Sequence, residues 1–158
     1  MKIALALVAC LLLASCAVTL TPISVPPVPT PSATPRYGEA FTLRGGQEVR
    51  FVASPPTLPA AELLVRFVEV VSDERCPAQV ACAWANPPVI VLEAGFAGRP
   101  PRRYTIKGNY NVNRVQFDGL AIEFIDLNPY PQQPDEFAKV KPLSTYVVTL
   151  RATGARVE

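Results

Sequence analysis

Apolar and polar residues alternate with a period of two through most of the chain beyond residue 40. From Gly46 to Ala53, Val49 and Phe51 fall on one face and Glu48 and Arg50 on the other, as in a half-buried strand. Leu63 to Ser72 is rich in Val and Phe. Its positions Val65, Phe67 and Val70 keep to one face only if an extra residue bulges out partway. Val89 to Phe96 sets Ile90, Leu92, Ala94 and Phe96 on one side. Arg102 to Lys107 and Asn113 to Phe117 flank the turn-rich Gly108-Asn109-Tyr110-Asn111, which predicts a hairpin. Leu120 to Leu127 alternates Leu120, Ile122 and Phe124 against Ala121, Glu123 and Ile125, and Thr145 to Ala152 lines up Tyr146, Val148 and Leu150. A helical stripe is confined to a turn or two near Pro59 to Leu64. Short strands at this spacing predict an all-β domain over residues 39–158, an antiparallel, immunoglobulin-like β-sandwich. A small closed barrel is the alternative.

The first 38 residues have another character. Lys2 precedes an uncharged apolar run, Ile3 to Leu13. As a helix that run spans roughly 16 Å, too short for a hydrocarbon core about 30 Å thick, and it reads as a secretory signal. Leu13-Ala14-Ser15-Cys16 resembles the lipobox of bacterial lipoproteins. The resemblance implies cleavage after residue 15 and lipidation of Cys16, with two or more acyl chains giving a stable hold on the membrane. It implies an extracytoplasmic protein, lipid-anchored to the bacterial cell membrane. Ala17, where a retention signal would have Asp, favours the outer membrane in a cell that has one. Residues 16–38 then form a linker. Its stretch 17–35 carries six prolines, six Ser or Thr and no charge. Extended as polyproline II it reaches roughly 60 Å, enough to stand a domain off a surface.

Composition narrows the chemistry. The 158-residue chain has no histidine, which excludes imidazole bases, His-ligated metals and a near-neutral imidazole switch. A formal charge of +2 gives no footprint for nucleic acid. Serine and lysine at Ser144 and Lys141, and Ser54 before two prolines, lie in no recognisable nucleophile context. Glu123 and Asp126 fall on opposite faces of a regular strand, so they do not form a carboxylate pair there. No phosphate loop or nucleophile elbow is present. The expectation is a protein that is not an enzyme and carries no cofactor or metal.

Four cysteines are present. With Cys10 removed in the signal and Cys16 lipidated, Cys76 and Cys82 remain, and an oxidising compartment makes them a disulfide. A zinc site needs more ligands than two thiolates. A redox pair is the other reading, but the spacing is not C-x-x-C, and Arg75 is the sole neighbouring cation. Trp84, two residues after Cys82, points to the same side of an extended segment and is expected beside the disulfide.

Asp73-Glu74-Arg75-Cys76-Pro77, four residues, then Cys82-Ala83-Trp84-Ala85-Asn86 resembles a pattern of small bacterial secreted proteins and lipoproteins, D-S-R-C-P, four residues, C-x-W-x-G. The likeness extends to the Gly46-Gln47-Glu48 strand start, Val65 to Val70, Leu127-Asn128-Pro129-Tyr130-Pro131 and the closing Tyr146 to Leu150 strand. Glu74 stands where Ser is usual, and Asn86-Pro87-Pro88 replaces the Gly-containing step. The family has no assigned activity, so the resemblance implies a fold and a location but no reaction.

Two surface groups are candidates for binding. Asp73, Arg75 and Trp84 form a recognition candidate, with Arg75 offering a planar fork to a carboxylate; the plainer alternative pairs Arg75 with Asp73 or a strand carboxylate. Arg99, Arg102, Arg103 and Lys107, with Arg114, would line one basic hairpin facing anionic lipid or an acidic envelope polymer. The plainer alternative is a solvated edge that resists aggregation. Three functions follow: a lipid-anchored structural or interaction module of the cell envelope, contacting a protein or polymer; a small-ligand-binding sandwich; and a hydrolase inhibitor presenting the Cys76–Cys82 loop. The first is favoured, with the membrane reached through Cys16 and the oligomeric state left open.

Overall fold

The computed structural model describes residues 35–54, 60–109 and 113–154, so Cys16, the lipobox, most of the linker and the Tyr110-Asn111 turn lie outside the described residues. Eight strands are present: β1 Ala40–Arg44, β2 Glu48–Ala53, β3 Ala61–Ser72, β4 Val89–Phe96, β5 Arg102–Lys107, β6 Arg114–Phe117, β7 Leu120–Asn128 and β8 Val147–Gly154. They form two four-stranded antiparallel sheets, ordered β1-β8-β7-β6 and β2-β3-β4-β5. The architecture is the expected sandwich rather than a closed barrel. Its connectivity, one meander per sheet with β1 added beside β8, differs from the ABED and CFG sheets of an immunoglobulin domain.

The inward face of each strand supplies the core. Phe51, Leu63, Val65, Phe67, Ile90, Leu92 and Ile106 from one sheet meet Leu43, Leu120, Ile122, Phe124, Val148 and Leu150 from the other, all buried. Each large apolar side chain contributes about 1.5–3 kcal/mol by leaving water. Phe41 and Phe51 pack edge to face across the sandwich at 5.3 Å.

Of three register shifts, two in β3 and one in β7, two decide which of the residues singled out above point inward. In β3 the register skips Val68, so Phe67 opposes Leu92 and Glu69 opposes Val91, and Val70 returns to the core, as the spacing predicted. In β7 the register skips Ile125, between Phe124 and Asp126. That second bulge overturns the expectation for Glu123 and Asp126: the extra residue reverses the parity, Leu127 turns inward and Asp126 joins Glu123 on the outer face. The two carboxylates are still engaged separately. Glu123 pairs with Arg151 at 3.5 Å, and Asp126 accepts from the Leu127 N–H and the Asn128 amide.

Three other expectations are corrected. Strand β1 was not assigned from the sequence. Residues 61–64, near the weak helical stripe, are strand. Strands β5 and β6 do not form a hairpin, because β5 edges one sheet and β6 the other. The connection crosses the sandwich, which lets both strands present an apolar face to the core; Tyr104 of β5 stacks on Phe117 of β6 at 4.9 Å. Gly108 begins this crossing beneath Phe124 and Pro88, where a Cβ would come within 2.7 Å of the Phe124 ring. Gly45, between β1 and β2, is equally constrained: its N–H reaches the Tyr146 carbonyl at 2.9 Å, and a Cβ there would run into the Leu143 carbonyl.

Because every strand is antiparallel to the next, the connections divide between two poles. At the root pole lie residues 35–39, which lead into β1 and are held to β8 by the Gly38 N–H on the Ala152 carbonyl at 2.9 Å, with the β4–β5 turn and the two-residue β6–β7 turn. At the loop pole, about 27 Å away along β8, lie the two longest connections, residues 73–88 and 129–146.

Candidate functional site at the loop pole

The 73–88 connection leaves β3 and the 129–146 connection leaves β7, so they spring from opposite sheets and meet over one end of the core. Arg75 joins them. Arg75 is 8% exposed and Asp73 2%. The guanidinium grips both Asp73 oxygens at 2.7 Å, one through Nε and one through Nη2. It also donates to the Leu127 carbonyl and, at 3.0 Å, to that of Pro129, beyond the cis Asn128–Pro129 bond. Four of its five donors are thereby satisfied. The Tyr130 ring covers the remaining face, 4.8 Å from the guanidinium carbon. Only a planar fork can serve a carboxylate and two carbonyls at once, so lysine is no substitute.

Tyr146 extends this network under the loops. It is 1% exposed; its hydroxyl accepts from the Lys141 N–H at 3.1 Å and reaches Asp73 Oδ2 at 3.5 Å. Burial pushes that hydroxyl above the usual phenol range, and the Asp73 charge adds to the effect. A further backbone bond, Ala78 N–H to Pro131 carbonyl at 3.0 Å, ties the cysteine loop to the same partner segment.

Cys76 and Cys82 form a disulfide, with their Cα atoms 5.8 Å apart. Asn86 closes the loop back on Glu74 through its N–H and its side-chain amide. Pro87 and Pro88, which lack the N–H for a ladder, sit just before β4 begins at Val89. On the opposite loop, Glu136 caps a 3-10 turn (Pro134–Glu136) by accepting from the Gln132 and Gln133 N–H groups, and it pairs with Lys141 at 2.7 Å. The Lys141 bond, with the two backbone donors, holds the Glu136 carboxyl down at about 2. The amine near Ser144 is therefore engaged by a carboxylate.

The recognition candidates separate in this geometry. Asp73 and Arg75 lie inside and bind each other, so Arg75 is not displayed on the cysteine loop. Trp84 lies outside, 59% exposed. It packs edge to face on Phe137 at 5.1 Å, and the two rings share a hollow of about 200 Å³ with Pro77, Val80, Cys82 and Pro134. The indole does border the disulfide, but its ring partner comes from the other loop. Tyr130 and Val140 are also exposed here. Phe137 and Pro134 carried no signal in the sequence beyond their apolar character, because their meeting with Trp84 spans some fifty residues of chain.

The basic group disperses. Arg99 and Arg102 are at the root pole; Arg103 is on an outer sheet face, 3.1 Å from Glu93; Lys107 ends β5 toward the loop pole; and Arg114 is in the other sheet. They do not form one basic hairpin, because the two strands lie in different sheets.

The described residues thus form an all-β sandwich with one pole stitched across its sheets by the buried Arg75 guanidinium, a disulfide within one of the joined loops, and an aromatic hollow outside. No protein family matches its sequence, no curated protein matches it, and no solved structure matches its fold.

Proposed function

We propose that the chain is an extracytoplasmic lipoprotein of the bacterial envelope, held at the membrane by acylated Cys16, whose loop pole is a contact surface for an envelope protein or polymer. One observation carries this reading: the loop pole combines a rigid base with exposed apolar area, Trp84 and Tyr130 above the Arg75 network. Large exposed aromatics in a polar rim are the residues that supply most contact energy at protein surfaces. A surface preordered by buried hydrogen bonds loses less entropy when it binds. Among the described residues the chain enters the domain at the opposite pole, through residues 35–39.

The small-ligand reading has less support, since the Trp84 hollow is shallow and lacks convergent polar groups. The inhibitor reading needs an exposed Arg75, and Arg75 is buried. Two experiments test the proposal. Cys16→Ser should abolish incorporation of labelled fatty acid and release the protein from the membrane fraction; unchanged labelling refutes the anchor. Cross-linking in native membranes with wild type and Trp84→Ala should show adducts that vanish in the variant; identical adducts refute the contact surface.

A further inference from the structure

The root pole holds a second concavity. A groove of about 160 Å³ opens between the sheet edges, floored by Phe96, Phe117 and Tyr104 and rimmed by Arg99 and Arg102, with the Asp118 carboxylate beside Arg99. The rings form one aromatic cluster, Phe117 stacked on Tyr104 at 4.9 Å and tilted 6.3 Å from Phe96. The two arginines differ. Arg99 is held loosely by Asp118 at 3.4 Å, both side chains mostly exposed. The Arg102 side chain makes no hydrogen bond or ion pair with any described residue, although it stands at the mouth of the groove.

We infer that this groove takes the phosphate headgroup of an anionic phospholipid from the membrane that carries the anchor. This rests on the reading of Cys16 as lipidated. The charge complementarity is local, not a long-range field. Among the described residues, Glu39, Glu62 and Asp118 balance Arg36, Arg99 and Arg102 at this pole. A guanidinium with no partner among the described residues binds phosphate through two parallel N–H donors, and the aromatic floor packs against the first acyl methylenes. Residues 35–39 enter the domain at the same pole, so a membrane anchor would present lipid here at high effective concentration and a weak site would fill. The domain then rests with Arg102 toward lipid and Trp84 away from it.

The whole chain is reconstituted into phosphatidylcholine vesicles that contain a trace of photoreactive phosphatidylglycerol. Cross-links should map to residues 95–104 and 117. Arg102→Ala should lower their yield at least several-fold and Arg102→Lys by less, while Lys107→Ala, near the other pole, leaves it unchanged. Cross-links indifferent to Arg102→Ala, lost equally with Lys107→Ala, or spread over both poles overturn the site. The two readings fail separately. A chain that never acylates Cys16 but cross-links through Arg102 refutes only the anchor. A chain acylated at Cys16 whose cross-links ignore Arg102 refutes only the groove.

Discussion

Each pole carries an arginine–aspartate pair, and the two pairs differ in almost everything except composition. Asp73 and Arg75 meet at 2.7 Å with side chains 2% and 9% exposed, and the same guanidinium binds one carbonyl of β7 in the opposite sheet and one of the loop that follows it. Arg99 and Asp118 meet at 3.4 Å with side chains 70% and 55% exposed. The first pair is an internal fastener for two long loops. The second spans turns short enough to hold themselves, and water competes for both partners. An ion pair takes its role from what surrounds it, and a sequence read locally does not reveal those surroundings.

Removing each arginine sharpens this contrast most. Arg75→Ala leaves Asp73 buried and unpaired and should destabilise the fold by about 3–5 kcal/mol, whereas Arg99→Ala should cost about 1 kcal/mol or less. Urea unfolding measures both; comparable losses would erase the distinction between the poles. Arg75→Lys should recover little of the loss, because an ammonium cannot reproduce the fork.

The disulfide is the next largest effect. Cys76→Ala/Cys82→Ala should cost about 2 kcal/mol, the closure entropy of so short a loop. A loss matching that of Arg75→Ala would mean that the disulfide, not the ion pair, organises this pole.

The smallest effect is set by pH. Glu136 has its carboxyl lowered from 4.5 to about 2, so the folded state binds its proton more weakly than the unfolded chain. Its contribution is complete above pH 4.5 and disappears as the pH falls toward 2. Protection factors of the amides of residues 132–141, with the intrinsic rate at each pH divided out, should fall across that window in wild type. Glu136→Gln should show low protection at every pH, with the root pole unaffected. An unchanged profile in the variant would remove the Glu136–Lys141 clasp from the account.

Much of the fold was legible because each sheet buries one face. The odd spacing of Val65, Phe67 and Val70 disclosed the β3 bulge, since a regular strand would turn Val70 outward. The β7 bulge left no such trace: the extra residue is Ile125, an apolar side chain that reads as core in one register and sits 41% exposed in the other. Strand β1 was obscured by its length, five residues with only Phe41 and Leu43 to mark a period. The crossing between β5 and β6 was misread because Gly and Asn suit a hairpin and a crossover alike. At the loop pole, Asp73 as a partner for Arg75 could be weighed from two positions of separation. The Leu127 and Pro129 carbonyls lie over fifty residues away, and no local pattern points to a backbone acceptor.

The central claim is that Arg75 builds the loop pole and Trp84 is the part a partner touches. The most direct measurement compares Trp84→Ala with Arg75→Ala for both unfolding free energy and cross-linking to envelope components in native membranes. Trp84→Ala should unfold within about 1 kcal/mol of wild type, since its side chain is largely exposed, yet lose the cross-links; Arg75→Ala should lose both. Full cross-linking by a stable Trp84→Ala protein would contradict the account.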